Sequence, residues 1–497
     1  MSVVGKRIVK LLIVQPLLDL HGFLTQSVQE FSLTFMLIIG LTYFLQGFRS
    51  YAFGDGIIWF FSNVFQLDPG PTQLYMSTIF ITWNIKMLYG LVFDNFPLFR
   101  RKDVPYLVIS GMISCIGFLA LGVPSLTSTP DVTTVWFFLA LMGLAMSDVI
   151  ADAMVVRQAR EAGAAGGADL QAYCWVLSSI GGIIGRPLAG YITGTNGNGS
   201  RMLLGVIYSA SSALGCIVSL MHKEQPCTDA SWTVSKFWDQ LKRLVFAIIG
   251  NTNVWMPMVW IVCGRAIVPD VSAAMNFWKR DVIGVGADTK AYIDTVGDVV
   301  SISGLVIGVA VFALTDVVLV YRWNRVAGLS DELFLIGSGT IIHTLHSFQA
   351  MPFLVLAAQL CPKDIEATFY AAMMSLGNVG ANLGNLYGGY LLTQLHIVQM
   401  KAQDDPSTAE PGKSMYDFTY LPLALWIRVV SMGVSALFVF WLVPNSPEDV
   451  VDGVKRGGDG GVVDAEWEDG MDEDDEAVRL VPVQGGGVEG ERRRHGN

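Results

Sequence analysis

Stretches of about 20 mainly apolar residues, each long enough to cross a bilayer as a helix, recur along most of this chain and constrain its fold more than any other feature. They lie at 34–62, 73–94, 104–124, 134–156, 171–193 and 202–221 and, after a polar stretch, at 254–278, 292–321, 333–358, 366–395 and 421–443. Helices satisfy their own backbone groups inside hydrocarbon, so the expected fold class is all-α, a polytopic membrane protein with 11–12 transmembrane helices. With 52% hydrophobic and 15% charged residues, the 497-residue chain is too apolar for a soluble domain and too poor in charge for a disordered one.

The net charge of −11 belongs to one end. From Asn445 onward there are 15 Asp and Glu against 6 Lys and Arg, leaving 28 against 26 in the rest. Residues 444–497 are expected to form an acidic disordered tail, and nothing in the balance points to nucleic acid. The six cysteines show no paired spacing for a disulfide framework or a metal site. Residues 1–33 are expected to lie on the membrane as an amphipathic lead-in rather than to be cleaved as a signal.

Basic residues cluster in alternate connections, at Arg100-Arg101-Lys102, at Arg157 and Arg160, and at Lys223, Lys236, Lys242 and Arg243. The positive-inside rule then puts the N-terminus and the 222–250 linker in the cytosol, with an amphipathic helix around Trp232 to Phe246. Asn198-Gly199-Ser200 would face outward as a glycosylation acceptor.

Charges within the spans carry the chemistry, because a charge at that depth costs a few kcal/mol or more in lipid and must face a bundle interior or a wet cavity. Asp148 and Asp152, four residues apart, project from one helical face. At 1.5 Å per residue Lys86 and Asp148 lie roughly 12–13 Å from the same membrane face, so they should pair; a purely structural ion pair is the alternative to a coupling role. Arg49 and Arg186 lie near the bilayer centre, and two guanidiniums at one depth suit an anionic, planar solute unless they pair with acids such as Asp55 or Asp270. Arg265 and Asp270 flank Pro269 in a span that also holds Asn276. Asp294 and Asp298 lie near the outer end of the next. His343, His346 and Gln349 recur at three-residue steps, as a proton relay or a hydrogen-bonded core pair would. Asn378, Asn382 and Asn385 form one helical line, facing a cavity or clamping a neighbour. Gly380, Gly384 and Gly388 form another, on which a neighbouring helix could pack closely.

Six spans at 34–221, a linker at 222–250 and a second block at 251–443 match two pseudo-symmetric helical bundles of major facilitator type. Gly90-Leu-Val-Phe-Asp94 followed by Arg100-Arg101-Lys102 resembles the signature of that superfamily between helices 2 and 3. More specific is the ordered set Tyr43-Phe-Leu-Gln-Gly-Phe-Arg49, Trp83-Asn-Ile-Lys86, Ser147-Asp148-Val-Ile-Ala-Asp152 and Asp169-Leu-Gln171 with Trp175. Gly328-Leu-Ser-Asp331-Glu332, Met351-Pro352 and Leu360-Cys361-Pro362 with Glu366-Ala-Thr368 continue it. Together these resemble the folate–biopterin transporter family from about Tyr43 to Leu391.

The resemblance implies a secondary transporter that moves folates or pterins by alternating access, coupled to protons. It has no cofactor, acts as a monomer in the bilayer and is not an enzyme. Arg49, Arg186, Gln171, Trp175, Asp270, Asn378 and Asn382 would bind substrate; Asp148, Asp152 and Lys86 would couple; Asp94 and Arg157, by likeness to the superfamily's helix 2–helix 4 clasp, would gate. Glu366 would cap or clasp a loop. A same-fold carrier of another metabolite, such as S-adenosylmethionine, and an integral-membrane enzyme built on His343 and His346 are the alternatives. No Gly-x-x-x-x-Gly-Lys-Ser/Thr loop is present to drive an ATP-powered pump.

The chain departs from the family between Gly308 and Arg325, where Val296 to Tyr321 is one apolar run, about twenty residues shorter than the two full helices the resemblance implies. A single crossing there would invert every later helix. The favoured expectation is a tight break at Asp316 between two short half-spans, or a mis-spliced gene model.

Overall fold

The computed structural model describes residues 31–195, 197–226, 252–286, 309–335, 366–398 and 416–442, with isolated positions within 235–250 and 289–293. The amphipathic lead-in up to residue 30, the acidic tail, Asp294, Asp298, His343, His346 and Gln349 lie outside the described residues, as does the side chain of Glu366.

The described elements are helical. In the first half α1 (Leu33–Phe48), α2 (Pro69–Asn84), α3 (Lys86–Asn95), α4 (Val104–Leu121), α5 (Pro130–Thr195) and α6 (Gly197–Leu220) follow one another. In the second half come α7 (Thr252–Ala266), α8 (Ser272–Trp278), α9 (Val309–Val320), α10 (Glu366–Gln394) and α11 (Leu421–Leu442). Among the described residues, four helices are long and apolar enough to span a membrane: Pro69–Asn95, Val104–Leu121, Pro130–Ala159 and Arg201–Leu220. Leu33–Phe48 and Leu421–Ser435 are apolar but shorter.

The 34–62 stretch is not one helix. α1 stops at Phe48, and the chain continues through a 3₁₀ turn at Ser50–Phe53, the short helix Asp55–Trp59 and a π turn at Phe60–Val64. Gly54 and Asp55 interrupt the apolar run there, and a helical start at Asp55 suits the carboxylate, which complements the dipole of a first turn.

α5 is helical over 66 residues but doubles back on itself. Gly167 packs against Ala159, so two arms, Pro130–Ala159 and the part beyond Gly167, run side by side. The second arm packs on α1, with Gly181 against the backbone at Phe44 and Gly185 against Phe48. These arms correspond to the expected spans at 134–156 and 171–193.

The glycine line of α10 is a packing face. Gly380 meets the backbone of Val262, Gly384 that of Val268 and Gly388 that of Asp270, so α7 and the loop after it lie almost directly on α10. The opposite side of α10 runs along α2 and α3, which makes this helix the main seam between the halves.

Asp316 does not mark a break. α9 continues through it from Val309 to Val320, and its carboxylate is ion-paired with Arg428 of α11 (3.0 Å) and Lys279 (3.9 Å). A half-buried acid with two cations needs no helix end to satisfy it. At the far end of α9, Arg322 donates to the carbonyl of Val282 (3.4 Å) and lies over the ring of Trp278. Arg322 and the end of the segment that carries Trp278 and Val282 therefore lie side by side.

Candidate functional site

The site begins with a missing hydrogen bond. A continuous helix would join the N–H of Met87 to the carbonyl of Trp83, but the span breaks at Ile85 between α2 and α3. Both freed groups are met by α10: the hydroxyl of Ser375 accepts from Met87 N (3.0 Å), and the amide of Asn378 donates to Trp83 O (3.2 Å). Irregular backbone at membrane depth is tolerated where protein supplies such partners.

Lys86 is the first residue beyond the break and is 4% exposed. Its ammonium is ion-paired with Asp148, which is 6% exposed, and lies over the Trp83 ring, 4.5 Å from the centroid. The other oxygen of Asp148 accepts from the Gln46 amide (2.5 Å). One turn along α5, Asp152 accepts from the Tyr43 hydroxyl (2.5 Å). Tyr370 of α10 and Gln171 and Cys174 of the second α5 arm complete the surroundings. Five chain segments thus meet around two carboxylates and one ammonium, inside a core that includes Val149, Ile150, Met154 and Leu170. Removing ions from water costs several kcal/mol each, so a separated pair here would be strongly unfavourable.

The two ends of the seam are bridged between the halves. At the end carrying Arg100 to Lys102, Asp94 accepts from the N–H (2.8 Å) and hydroxyl (2.6 Å) of Thr368 in the first turn of α10, where the helix dipole favours an anion. Arg157 donates to both oxygens of Asp103 (2.6 Å). Asp103 stands at the start of α4. Glu224 caps the same start, accepting from the backbone N–H groups of Lys102, Asp103 and Val104. At the opposite end Gln73 is fully buried, accepting from Ala273 N (3.2 Å) and donating to Asn385 (2.8 Å), while Lys290 pairs with Asp55 (2.6 Å).

The remaining expected substrate residues are dispersed. Arg49 is 6% exposed and turns into the wall between α1, α4 and α6, donating to Ser212 Oγ (2.8 Å), with Tyr208 and Cys216 beside it. Serines on α4 and α6 supply a polar pocket around it within the first bundle. Arg186 donates to Ser50 (3.2 Å). Asp270 accepts from Ser272 N (2.7 Å) and so caps α8, and neither it nor Asp55 pairs with Arg49. Trp175 is 40% exposed. Gln171 and Asn382 are buried; among the described residues the Nε2 of one and the Oδ1 of the other lack a hydrogen-bond partner.

Tyr43, Gln46 and Tyr370 belong to the cluster but were not among the expected site residues. Tyr43 and Gln46 stand three apart, polar groups in an apolar run, a spacing that puts them on one face of α1. Tyr370 carries no comparable signal.

The profile of the BT1 family matches residues 46–314 and 307–459. The chain belongs to the BT1 family. The two matched stretches meet at 307–314, inside the region that looks short in the sequence. Relatives of this BT1 protein include "Probable folate-biopterin transporter 4" of Arabidopsis thaliana, 27% identical over 86% of this chain and 99% of its own. The "Folate-biopterin transporter" of Synechocystis is 26% identical over 73% of this chain and 76% of its own. Among solved structures, a D-xylose-proton symporter superposes with a TM-score of 0.59 at 13% identity, covering 83% of this chain and 98% of that one. A nucleoside transporter superposes at 0.55 and 14%, covering 83% and 99%. The fold is that of the major facilitator superfamily, and the BT1 member described here is a multi-pass membrane transporter.

Proposed function

We propose that this BT1 protein is a secondary transporter of anionic pterins or folates that works by alternating access and is coupled to protons. The observation that carries the reading is the buried Lys86, Asp148 and Asp152 cluster at the broken α2–α3 span, tied to α10 of the other half. A charged group at a helix break on the seam between bundles is placed to respond when the bundles rock. The names of the Arabidopsis and Synechocystis relatives support the solute class. Arg186, Gln171 and Asn382 are the substrate contacts in this reading. The unpartnered amide atoms of Gln171 and Asn382 gain partners from a heterocycle with hydrogen-bonding edges, and Arg186 meets its carboxylate. Trp175 offers a stacking face. Arg49, Asp270 and Asn378 support the frame, and the Asp94 and Arg157 contacts hold the gate at the basic end.

The test is uptake of labelled folic acid and of a pterin in a transport-deficient host, with and without a protonophore. Saturable uptake that unlabelled pterin competes and the protonophore abolishes is expected. Competition by S-adenosylmethionine but not by pterins would replace the solute class, and protonophore-insensitive accumulation would remove the coupling.

A further inference from the structure

Asp148 and Asp152 do not stand in equivalent places. Asp148 is bonded to the Lys86 ammonium and the Gln46 amide. Asp152 accepts, among the described residues, only the neutral hydroxyl of Tyr43. The charged and titratable groups that face Asp152 are Tyr43 from α1, Lys86 from α3, Asp148 from its own arm, Cys174 from the second α5 arm and Tyr370 from α10. Lys86 is the only cation in that set, and it is engaged by Asp148.

With both acids ionised the cluster carries one negative charge more than its ammonium matches, in a core that penalises net charge. One proton removes the excess. Exposure separates the two acids as well: Asp148 is closed over at 6%, while Asp152, one turn nearer the basic end, keeps intermediate exposure although its neighbours Ala151 and Ala153 are buried.

We propose that Asp152, and not Asp148, is the group that takes up and releases the coupled proton. The assignment rests on the proton-coupled reading above. A proton from water on one side forms an O–H bond at the Asp152 carboxylate, leaving the cluster neutral for the closed state, and returns to water when the opposite side opens. Asp148 stays bound to Lys86 throughout and positions it.

The experiment uses the full chain in liposomes, with folic acid as the probe, following exchange counterflow and substrate-driven acidification of the lumen. In the unaltered protein, counterflow without acidification would overturn the coupling reading itself. Where acidification occurs, Asp152→Asn is expected to keep counterflow within about twofold while losing acidification and pH dependence, because the amide imitates the protonated acid. Acidification retained in Asp152→Asn would overturn this assignment alone. Tyr43→Phe leaves both acids in place and is expected to move the pH midpoint of uptake upward by roughly half a unit or more, since the ionised carboxylate loses a donor. An unmoved midpoint counts against the proposal. Infrared pH-difference spectra of the purified protein need no substrate. A protonated-carboxyl band that vanishes in Asp152→Asn and shifts in frequency in Tyr43→Phe, which removes a hydrogen bond to Asp152 alone, supports the assignment, and a band that Tyr43→Phe leaves unmoved overturns it.

Discussion

The carbonyl of Trp83 accepts its hydrogen bond from the side chain of Asn378, 3.2 Å away on the other half of the molecule, not from the N–H four residues along its own helix. With Ser375 holding the N–H of Met87, two side chains of α10 replace one rung of the α2–α3 span. Lys86 is aimed at Asp148 from within this repaired gap. Asn378→Leu removes a hydrogen bond that crosses the seam and should destabilise the protein by about 1 kcal/mol. Thermal unfolding in detergent and uptake at saturating substrate measure it. Asn378→Gln should recover part of both, and a leucine variant of unaltered stability and transport would deny the repair any importance.

Close packing along α10 gives a contrast within one helix. A methyl added at Gly388 would run into the carbonyl of Asp270, whereas one at Gly377 meets Ile261 at 3.7 Å, an ordinary contact. Gly388→Ala should force apart the seam that also carries the Asp270 N–H bond to Gly384 O (3.0 Å), costing typically 1–3 kcal/mol, as overpacking does. Gly377→Ala should fall within about 0.5 kcal/mol of the native protein. Size-exclusion profiles after heating compare the two directly, and equal losses would remove backbone contact as the reason for the glycines.

What the sequence shows of the site and what it hides follow from helix geometry. Residue position converts to depth at a fixed rise per residue, which is why Lys86 and Asp148 are found at one level and joined. Rotation about the helix axis is much less readable when every face is apolar. The end of α1 therefore gives no warning that Arg49 turns toward Ser212 instead of the space between the halves. Partners in loops are harder still. The start of α4 brings Asp103 to Arg157, 54 residues along the chain, and nothing in the spacing announces that contact. Asp316 reads as an interruption because an acid in an apolar run is costly, yet Arg428 lies far along the chain and removes the cost. The glycine line of α10 was legible because its four-residue period needs no partner to be recognised.

Breaking the central ion pair should cost more than deleting it. Asp148→Ala takes from the Lys86 ammonium the carboxylate bonded to it and leaves only Asp152 nearby to match its charge, a loss of up to about 3–5 kcal/mol for a pair of this kind. Replacing both partners by apolar side chains, Lys86→Met with Asp148→Leu, removes the unmatched charge and should recover much of that stability while leaving transport absent. Thermal midpoints of the single and double variants, beside uptake, decide it. A single variant as stable as the native protein would show that the pair bears little of the fold, and transport by the double variant would remove it from the mechanism.

Outside the membrane, Asp331 offers a pH test with a definite sign. In the connection after α9, Arg325 (2.5 Å), Asn324 (2.7 Å) and Arg322 (2.5 Å) converge on its carboxylate, which is 5% exposed. The Arg325 hydrogen bond, aided by Asn324 and Arg322, holds the carboxyl well below the usual range, at about 2 against an ordinary 3.8. A folded pKa below the unfolded value means that the stabilisation is fully present above about pH 4 and is lost as the pH falls toward about 2. The shift corresponds to at most about 2 kcal/mol, since Arg325 itself is largely exposed and screened. Asp331→Asn should therefore lower the thermal midpoint at neutral pH and make it less sensitive to acid over that window, and Arg325→Gln should do the same more weakly. A variant whose midpoint falls with acid as steeply as the native protein's would show that other carboxylates set the acid limit.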